Sequence, residues 1–427
     1  MLTRALAATL AFAVLLTIVL ASFQDTTFEP EHFFWALLFS APVGLSVFLG
    51  GLGTLAVQAP SASLATAVFW IVLMAPSFIL EERFRHLGLY YSHDSVVIGR
   101  WLFVVWSSVF VLVVGRSPNT PVRIVPKGYD FIAVSVPVGI AVIYLLVRGR
   151  FTNYQGVDTT VAASSDLVLA MSVGKNTLVC MPGFFLFLSQ RAQSPTMVLA
   201  ARLAILPSVL LLLLTGGRSG IAYAAGIVFF FTRLSGKQLR LRWAIPVVVS
   251  VPLLFLIVFT YRSGLGDVEG TASLGDLTSV ASNTTAELAT ADDRRQHAVT
   301  NFSDNLVIRL GMGPQFFAVV EYWMDHGPAL EGSFLDGTIR TLPSLFFPWK
   351  NDLASTYTFE TLLQRTGRFP DVDLAPTPWM QWLYEFGLLW IVLGAAFYGA
   401  LVRLLERRVL RTSSCPELLF MSYILAS

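Results

Sequence analysis

The residue most suited to chemistry is Arg218, in the segment Leu214-Thr-Gly-Gly-Arg-Ser-Gly220. Glycines allow a tight turn and a close approach of a ligand to the backbone. The apolar run that follows is short, from Ser219 to Thr232, which predicts that a helix begins at or before Arg218. A helix start offers free N–H groups and a positive dipole, and a guanidinium adds a two-pronged donor for phosphate. The segment therefore predicts an anion site, the alternative being a plain turn whose arginine binds lipid headgroups.

A second group of candidates lies in the long polar region 261–377. Arg340 is the stronger one, because it falls in an apolar stretch from Gly337 to Lys350 where an unneeded charge is costly. Arg309 is a further candidate for binding an anionic, lipid-linked substrate. His297 follows a run of charged residues and is a candidate general base, although the pattern favours a solvated histidine. Most other charges of this region are expected to be solvated.

Metal, cofactor and nucleic-acid chemistry find little support. Asp371 and Asp373 form a short carboxylate pair of the kind that can bind a divalent ion, but such pairs are common by chance. Cys180 and Cys415 lie far apart and indicate neither a disulfide framework nor a metal cluster. The chain has no serine-hydrolase elbow, P-loop or dinucleotide fingerprint. We expect no metal and no cofactor, and the net charge of +2 implies no nucleic-acid partner.

The elements that must position these residues are membrane helices. Charged residues make up 13% of the 427 residues and hydrophobic ones 55%, whereas a soluble chain carries about 25% charged residues. Apolar runs recur near the ~20 residues that a helix needs to cross the bilayer. The chain is predicted to be an all-α polytopic membrane protein with about ten or eleven transmembrane helices. The predicted spans are 5–22, 33–57, 61–80, 98–115, 129–147, 176–190, 197–215, 217–232, 243–260 and 378–401.

Basic residues orient the predicted bundle. With the N-terminus in the cytoplasm, lysines and arginines are concentrated in the inner loops, as the positive-inside rule requires. Arg100 is assigned in this scheme to a short outer loop. The scheme divides the chain into a transmembrane bundle of about nine spans (1–260), one large extracytoplasmic loop (261–377) and a C-terminal transmembrane region (378–427). The last apolar piece, 415–427, is too short to span, so either the chain is truncated or this piece is re-entrant.

Local patterns predict further structure at the two ends of this scheme. The first span resembles a secretory signal peptide, but its long apolar core favours a retained anchor. In the large loop, 263–281 is expected to be mobile, and Thr284-Thr-Ala-Glu287 reads as a capping box that starts a helix. The stretches 313–326 and 355–366 have helical apolar spacing. We expect some of these loop helices to lie in the membrane interface.

The order of motifs resembles a known family. Thr-Gly-Gly-Arg218-Ser-Gly is followed by a basic break, one more span and a long outer loop. That loop contains Arg340-Thr-Leu-Pro-Ser-Leu-Phe-Phe-Pro-Trp-Lys350, and the run Ala375-Pro-Thr-Pro-Trp-Met-Gln-Trp-Leu-Tyr-Glu-Phe-Gly387 enters the next span. This order resembles the Wzy-type polymerases of bacterial O-antigen, enterobacterial common antigen and capsule. The likeness covers about residues 200–400 and is greatest to the oligosaccharide repeat-unit polymerase branch.

The resemblance implies a membrane-embedded glycosyltransferase with a C-type bundle in the bacterial cytoplasmic (inner) membrane. Such enzymes transfer a growing glycan from undecaprenyl diphosphate to the sugar of a new carrier-linked repeat unit. A flippase and a chain-length regulator are the implied protein partners. Arginines hold the diphosphates in this family, and by position Arg218 and Arg340 match that role, with Lys350 beside the latter and Arg309 as a further candidate. The implied base that takes the acceptor proton is one of four residues among which the sequence does not choose: Asp304, Asp336, Glu360 and His297.

Two other functions stay open. An O-antigen ligase, or another carrier-linked glycan transferase, has the same expected fold and donor but passes the glycan to a different acceptor. A polysaccharide transporter or flippase is the alternative from another class. Transporters place ionisable residues near the middle of their spans, and the predicted spans are nearly free of such residues.

Overall fold

The computed structural model describes residues 2–22, 30–50, 75, 77–79, 91–115, 126–151, 170–215, 224, 227–228, 231, 257–258, 260–261, 274–289, 312–329, 378–411, 415 and 417–419. This part of the chain is helical and contains no strand. Five of its helices are long and apolar enough to cross a membrane. The prediction of an all-α polytopic membrane protein is therefore confirmed at this level. The predicted spans 61–80, 217–232 and 243–260 lie almost entirely outside the described residues.

Ten α-helices have described bounds. The spanning candidates are α2, α3, α4, α6 and α10. The bounds are α1 Leu2–Ser22, α2 Pro30–Gly50, α3 His93–Val114, α4 Gly128–Val147, α5 Met181–Arg191, α6 Pro195–Leu214, α7 Leu274–Ala289, α8 Met312–His326, α9 Pro378–Phe386 and α10 Leu388–Arg411. A π-helix, Ser172–Asn176, precedes α5.

Three predicted boundaries are wrong. The predicted span 378–401 is two helices, α9 and α10, because Gly387 adopts a φ of +80°, a left-handed conformation that ends a helix and favours glycine. The run predicted as 176–190 is divided between the π-helix and α5. Thr284 does not start a helix, since it lies inside α7, which already begins at Leu274. The described part of the segment expected to be mobile, 274–281, is likewise helical.

The structure divides into two compact units, and the first contains Met1–Ser117 and Asp304–Arg403. The boundaries of these two units differ from those of the three predicted regions. The predicted regions were defined by their position relative to the membrane, and they stay a prediction. In the first unit α1 packs along α2, and a Cβ added at Gly44 would lie 1.8 Å from Thr9 Oγ1. Small residues at such contacts let membrane helices approach closely. Gly44 is therefore a requirement of the α1–α2 packing.

Helix α8, which comes from the predicted outer loop, lies in the core of this unit. The prediction of a helix near 313–326 is confirmed, and every residue from Gly313 to Glu321 is buried. The expectation that some loop helices lie in the membrane interface stays a prediction. Phe317 packs against Gly99 of α3 and edge-on against Phe78. The backbone N–H of Gly313 donates to Ser77 Oγ at 3.1 Å. The apolar face of α8 is thus covered by protein.

Helices α3 and α10 run in the same direction. Near the carboxyl end of α3, Val113 contacts Gly399 in the middle of α10. At the amino end of α3, Ser92 donates to Glu321 of α8, and the end of the same helix α8 contacts Gly387, which immediately precedes α10. The amino ends of α3 and α10 therefore share one end of the unit. The predicted topology requires this, because it starts both helices on the outer side.

The second unit contains Pro118–Ser303 and Leu404–Ser427. Helices α4 and α5 are antiparallel, because Phe131 near the start of α4 packs on Phe185 of α5 while Gly174 packs on Leu145 near the end of α4. Only Ala192–Ser194 separate α5 from α6, so α6 reverses direction again. The carboxyl ends of α4 and α6 and the π-helix therefore share one end of this unit.

Candidate functional site

The structure does not place the residues predicted to carry chemistry. All eight lie outside the described residues: Arg218, Arg309, Arg340 and Lys350 for the diphosphate, and His297, Asp304, Asp336 and Glu360 as bases. Their roles stay predictions. The structure describes the helix end that precedes the Arg218 segment. It also describes two buried contacts of charged residues, those of Arg100 and Glu321, that were not predicted.

The helix before the Arg218 segment ends where the sequence predicts it. Helix α6 ends at Leu214, and Thr215 closes it by donating its backbone N–H to the carbonyls of Leu211 and Leu212. The Thr215 hydroxyl also donates to the Leu212 carbonyl at 2.7 Å. With these carbonyls satisfied, the helix is capped immediately before the two glycines. Arg218 thus follows a fixed helix end by a few residues.

The start of the predicted outer loop meets this helix end. The hydroxyl of Tyr261, the first residue of that loop, donates to the Leu214 carbonyl at 3.3 Å. Tyr261 is buried, and burial raises the pKa of its phenol to about 12. The phenol therefore stays protonated and keeps donating over the physiological pH range. This contact places Tyr261 beside Leu214, the last residue of α6.

Arg100 corrects the assignment of a short outer loop. It lies within α3, is 4% exposed and is held by three acceptors. Nε donates to the Phe78 carbonyl at 2.9 Å, Nη2 to the Ile79 carbonyl at 3.2 Å and Nη1 to Glu31 Oε1 at 2.6 Å. The Trp35 ring lies 5.1 Å from its guanidinium carbon. The predicted span 98–115 already included Arg100, but at the edge of that span its charge was assigned to the outer loop. Because α3 begins at His93, Arg100 lies about two turns inside the helix.

Glu321 of α8 forms a second buried contact at the amino end of α3. Its Oε2 accepts from the backbone N–H of Ser92 at 3.0 Å and from the Ser92 hydroxyl. Ser92 is the N-cap of α3, so the carboxylate also lies at the positive end of a helix dipole. The contact joins residues 229 apart in sequence. No local pattern predicts such a pair, and no role for Glu321 was predicted.

Aromatic rings surround the same end of the first unit. Tyr322 stacks on His326 with ring centroids 4.6 Å apart and on Tyr384 of α9 at 5.1 Å. Trp323 contacts Gly387, where the chain turns from α9 into α10. Among the described residues there is no group of histidine, cysteine, aspartate or glutamate that can hold a metal ion. At this end of the unit, hydrogen bonds hold the Glu321 carboxylate in place, and aromatic rings pack near it.

Comparison with known proteins adds no relative: no protein-family model, curated protein or solved structure matches this chain.

Proposed function

We propose that this protein is a polymerase that joins undecaprenyl-diphosphate-linked oligosaccharide repeat units into O-antigen, capsule or exopolysaccharide at the outer face of the bacterial cytoplasmic membrane. The proposal rests on the order of motifs between residues 200 and 400. One observation carries it furthest: Tyr261 bonds to Leu214, so the large loop begins beside the glycine-arginine segment. A substrate bound by that segment would meet the loop that contains the other predicted anion-binding residues.

The reaction follows from the chemistry of the carrier. A hydroxyl oxygen of the acceptor sugar attacks the anomeric carbon of the donor glycan, and the bond from that carbon to the diphosphate oxygen breaks. The carrier diphosphate leaves with the bonding electrons, and a carboxylate or histidine takes the acceptor proton. Negative charge grows on the departing oxygen, so a guanidinium and helix N–H groups at Arg218 stabilise the transition state more than the ground state.

Arg218 supplies the first test. Removing one such stabilising contact costs about 10²–10³-fold in rate. We expect Arg218→Ala to abolish long polysaccharide at normal protein level, and Arg218→Lys to retain little, because lysine lacks the planar fork. Arg294→Ala, in a polar segment of the loop, serves as the control and should be milder. Glycan gels of membranes matched by immunoblot measure the result, and wild-type chain length in Arg218→Lys would refute two-pronged binding.

A deletion strain decides between transfer reactions. We expect loss of long polymer while single repeat units remain on the carrier or on the lipid core. If polymer instead persists on its carrier and only its attachment to the lipid core is lost, the protein is a ligase. If carrier-linked repeat units accumulate on the cytoplasmic side, the protein is a transporter.

A further inference from the structure

Helix α10 continues well beyond the predicted end of its span. The span was predicted to end at 401, whereas α10 has 24 residues and ends at Arg411. At ~1.5 Å per residue the helix is about 36 Å long, and the hydrocarbon of a bilayer is only ~30 Å thick. Helix α10 is therefore long enough for its last turns to reach the lipid headgroups.

One face of α10 is exposed along its length. Large apolar side chains form this face as far as Leu404, which is 64% exposed, and among them Leu389 is 68% and Leu393 45% exposed. Arg407 and Arg411 are exposed and continue the same face. They follow Leu389 and Leu393, respectively, by about five helical turns, so each arginine points in nearly the same direction as its leucine. The face thus changes from apolar to cationic at the end of the helix.

The arginines at this end differ in their contacts. Arg408 donates from Nε and Nη2 to Glu417 Oε1 at 3.0 and 2.8 Å, so its charge is compensated within the protein. Neither Arg407 nor Arg411 has a hydrogen bond or an ion pair with another described residue. Glu406, the one acidic residue of α10, is 2% exposed and faces protein. The charges of Arg407 and Arg411 are thus open to an anion from outside.

We propose that Arg407 and Arg411 bind the headgroup phosphates of anionic phospholipids, with the acyl chains lying on the exposed leucines before them. Side chains four residues apart on a helix are neighbours, and a guanidinium is a two-pronged donor to phosphate. An acidic protein partner would account for the arginines but not for the apolar face that leads into them. The two arginines and Leu404 all belong to the second unit.

The predicted orientation of the chain agrees with this partner. It puts the carboxyl end of α10 in the cytoplasm, and the cytoplasmic surface of a membrane attracts basic residues through its anionic lipids. Arginines at the end of a spanning helix also keep their aliphatic stems along the apolar surface while the charged group reaches the headgroups. The proposal does not depend on polymerase activity.

A titration of the full-length protein in detergent micelles tests the proposal. The probe is phosphatidylglycerol, and native mass spectrometry gives the dissociation constant of the first bound lipid. We expect Arg407→Gln and Arg411→Gln each to weaken binding about 5-fold, as loss of one basic residue near an anionic surface does, and the double variant about 25-fold. Phosphatidylcholine, which has no net charge, should bind equally to the wild type and to all variants.

Two further variants serve as controls. Arg202→Gln removes an exposed arginine that is the one charged residue of α6. It should leave the affinity for phosphatidylglycerol nearly unchanged, because no second cation lies one turn away on that helix. The double variant Arg407→Lys with Arg411→Lys keeps both charges and should keep most of the affinity that the double glutamine variant loses. This variant also covers a failure of the glutamine variants to fold.

Three results would overturn the proposal. Unchanged phosphatidylglycerol affinity in the double glutamine variant would show that the two arginines do not bind this lipid and would leave them to an acidic protein partner. An equal loss for phosphatidylcholine, or in Arg202→Gln, would show that the effect does not come from this pair of charges acting on an anionic headgroup. A double lysine variant as weak as the double glutamine variant would show that charge is not what binds the lipid.

Discussion

Replacing Arg100 should destabilise the first unit more than any substitution of an exposed charge. Its three acceptors are the carbonyls of Phe78 and Ile79 and the carboxylate of Glu31. In Arg100→Met the aliphatic volume is partly kept while all three bonds are lost. Each buried carbonyl left without a donor costs about 1–3 kcal/mol. Glu31 is 47% exposed, so water replaces most of its bond, and the ion pair itself adds about 1 kcal/mol or less.

The expected total for Arg100→Met is about 3–5 kcal/mol, similar to the cost of breaking a buried ion pair. Arg100→Lys keeps the charge but has no planar fork to reach two carbonyls and a carboxylate together, so it should lose about half as much. Glu31→Gln should cost about 1 kcal/mol or less. Arg148→Met removes an exposed arginine and serves as the control. Reversible unfolding in mixed detergent, followed by tryptophan fluorescence, gives the free energies of unfolding.

The ranking of the variants is the critical result. The reasoning requires Arg100→Met to be the least stable, followed by Arg100→Lys, with Glu31→Gln and Arg148→Met near the wild type. If Glu31→Gln is as damaging as Arg100→Met, the ion pair and not the carbonyl bonds holds the arginine. If Arg100→Met unfolds like Arg148→Met, the buried contacts contribute nothing measurable and the argument is refuted.

Two further predictions concern glycines. Gly44→Ala should weaken the α1–α2 packing and lower the unfolding temperature, because its Cβ would overlap Thr9 Oγ1. Gly139→Ala in α4 is the control and should leave the unfolding temperature nearly unchanged, because nothing lies within 4 Å of the added Cβ. Equal unfolding temperatures of the two variants would contradict the Gly44–Thr9 contact. Gly387→Ala should also destabilise the protein, by about 1 kcal/mol or more, because the added side chain is strained at a φ of +80° and presses on Trp323. A wild-type unfolding curve would show that the turn tolerates a side chain.

Helices could be predicted from the sequence because their signal is local. Runs such as 129–147 and 197–215 are apolar along their whole length, and the structure has α4 and α6 there with ends shifted by one or two residues. Where an end depends on one backbone angle, the prediction failed. The apolar run through Gly387 is continuous, so only the left-handed conformation of that glycine separates α9 from α10.

Contacts between distant segments could not be predicted. Glu321 and Ser92 are 229 residues apart, and nothing in the sequence around either residue indicates the other. Arg100 was assigned to a loop because it lies at the edge of the predicted span 98–115, and its buried acceptors, the carbonyls of Phe78 and Ile79, are more than 20 residues away in sequence. The candidate site was predicted from the order of motifs and from helix ends. Of the residues beside that site, the structure describes Leu214, Thr215 and Tyr261.

The positive charge of Arg100 is compensated inside the protein. A carboxylate and two carbonyls accept from its guanidinium, so the free energy of these contacts is realised in folding. Arg148, by contrast, is exposed, and water solvates an exposed cation in the folded and in the unfolded chain alike. Substitutions of Arg100 should therefore lower the free energy of unfolding, and Arg148→Met should leave it nearly unchanged.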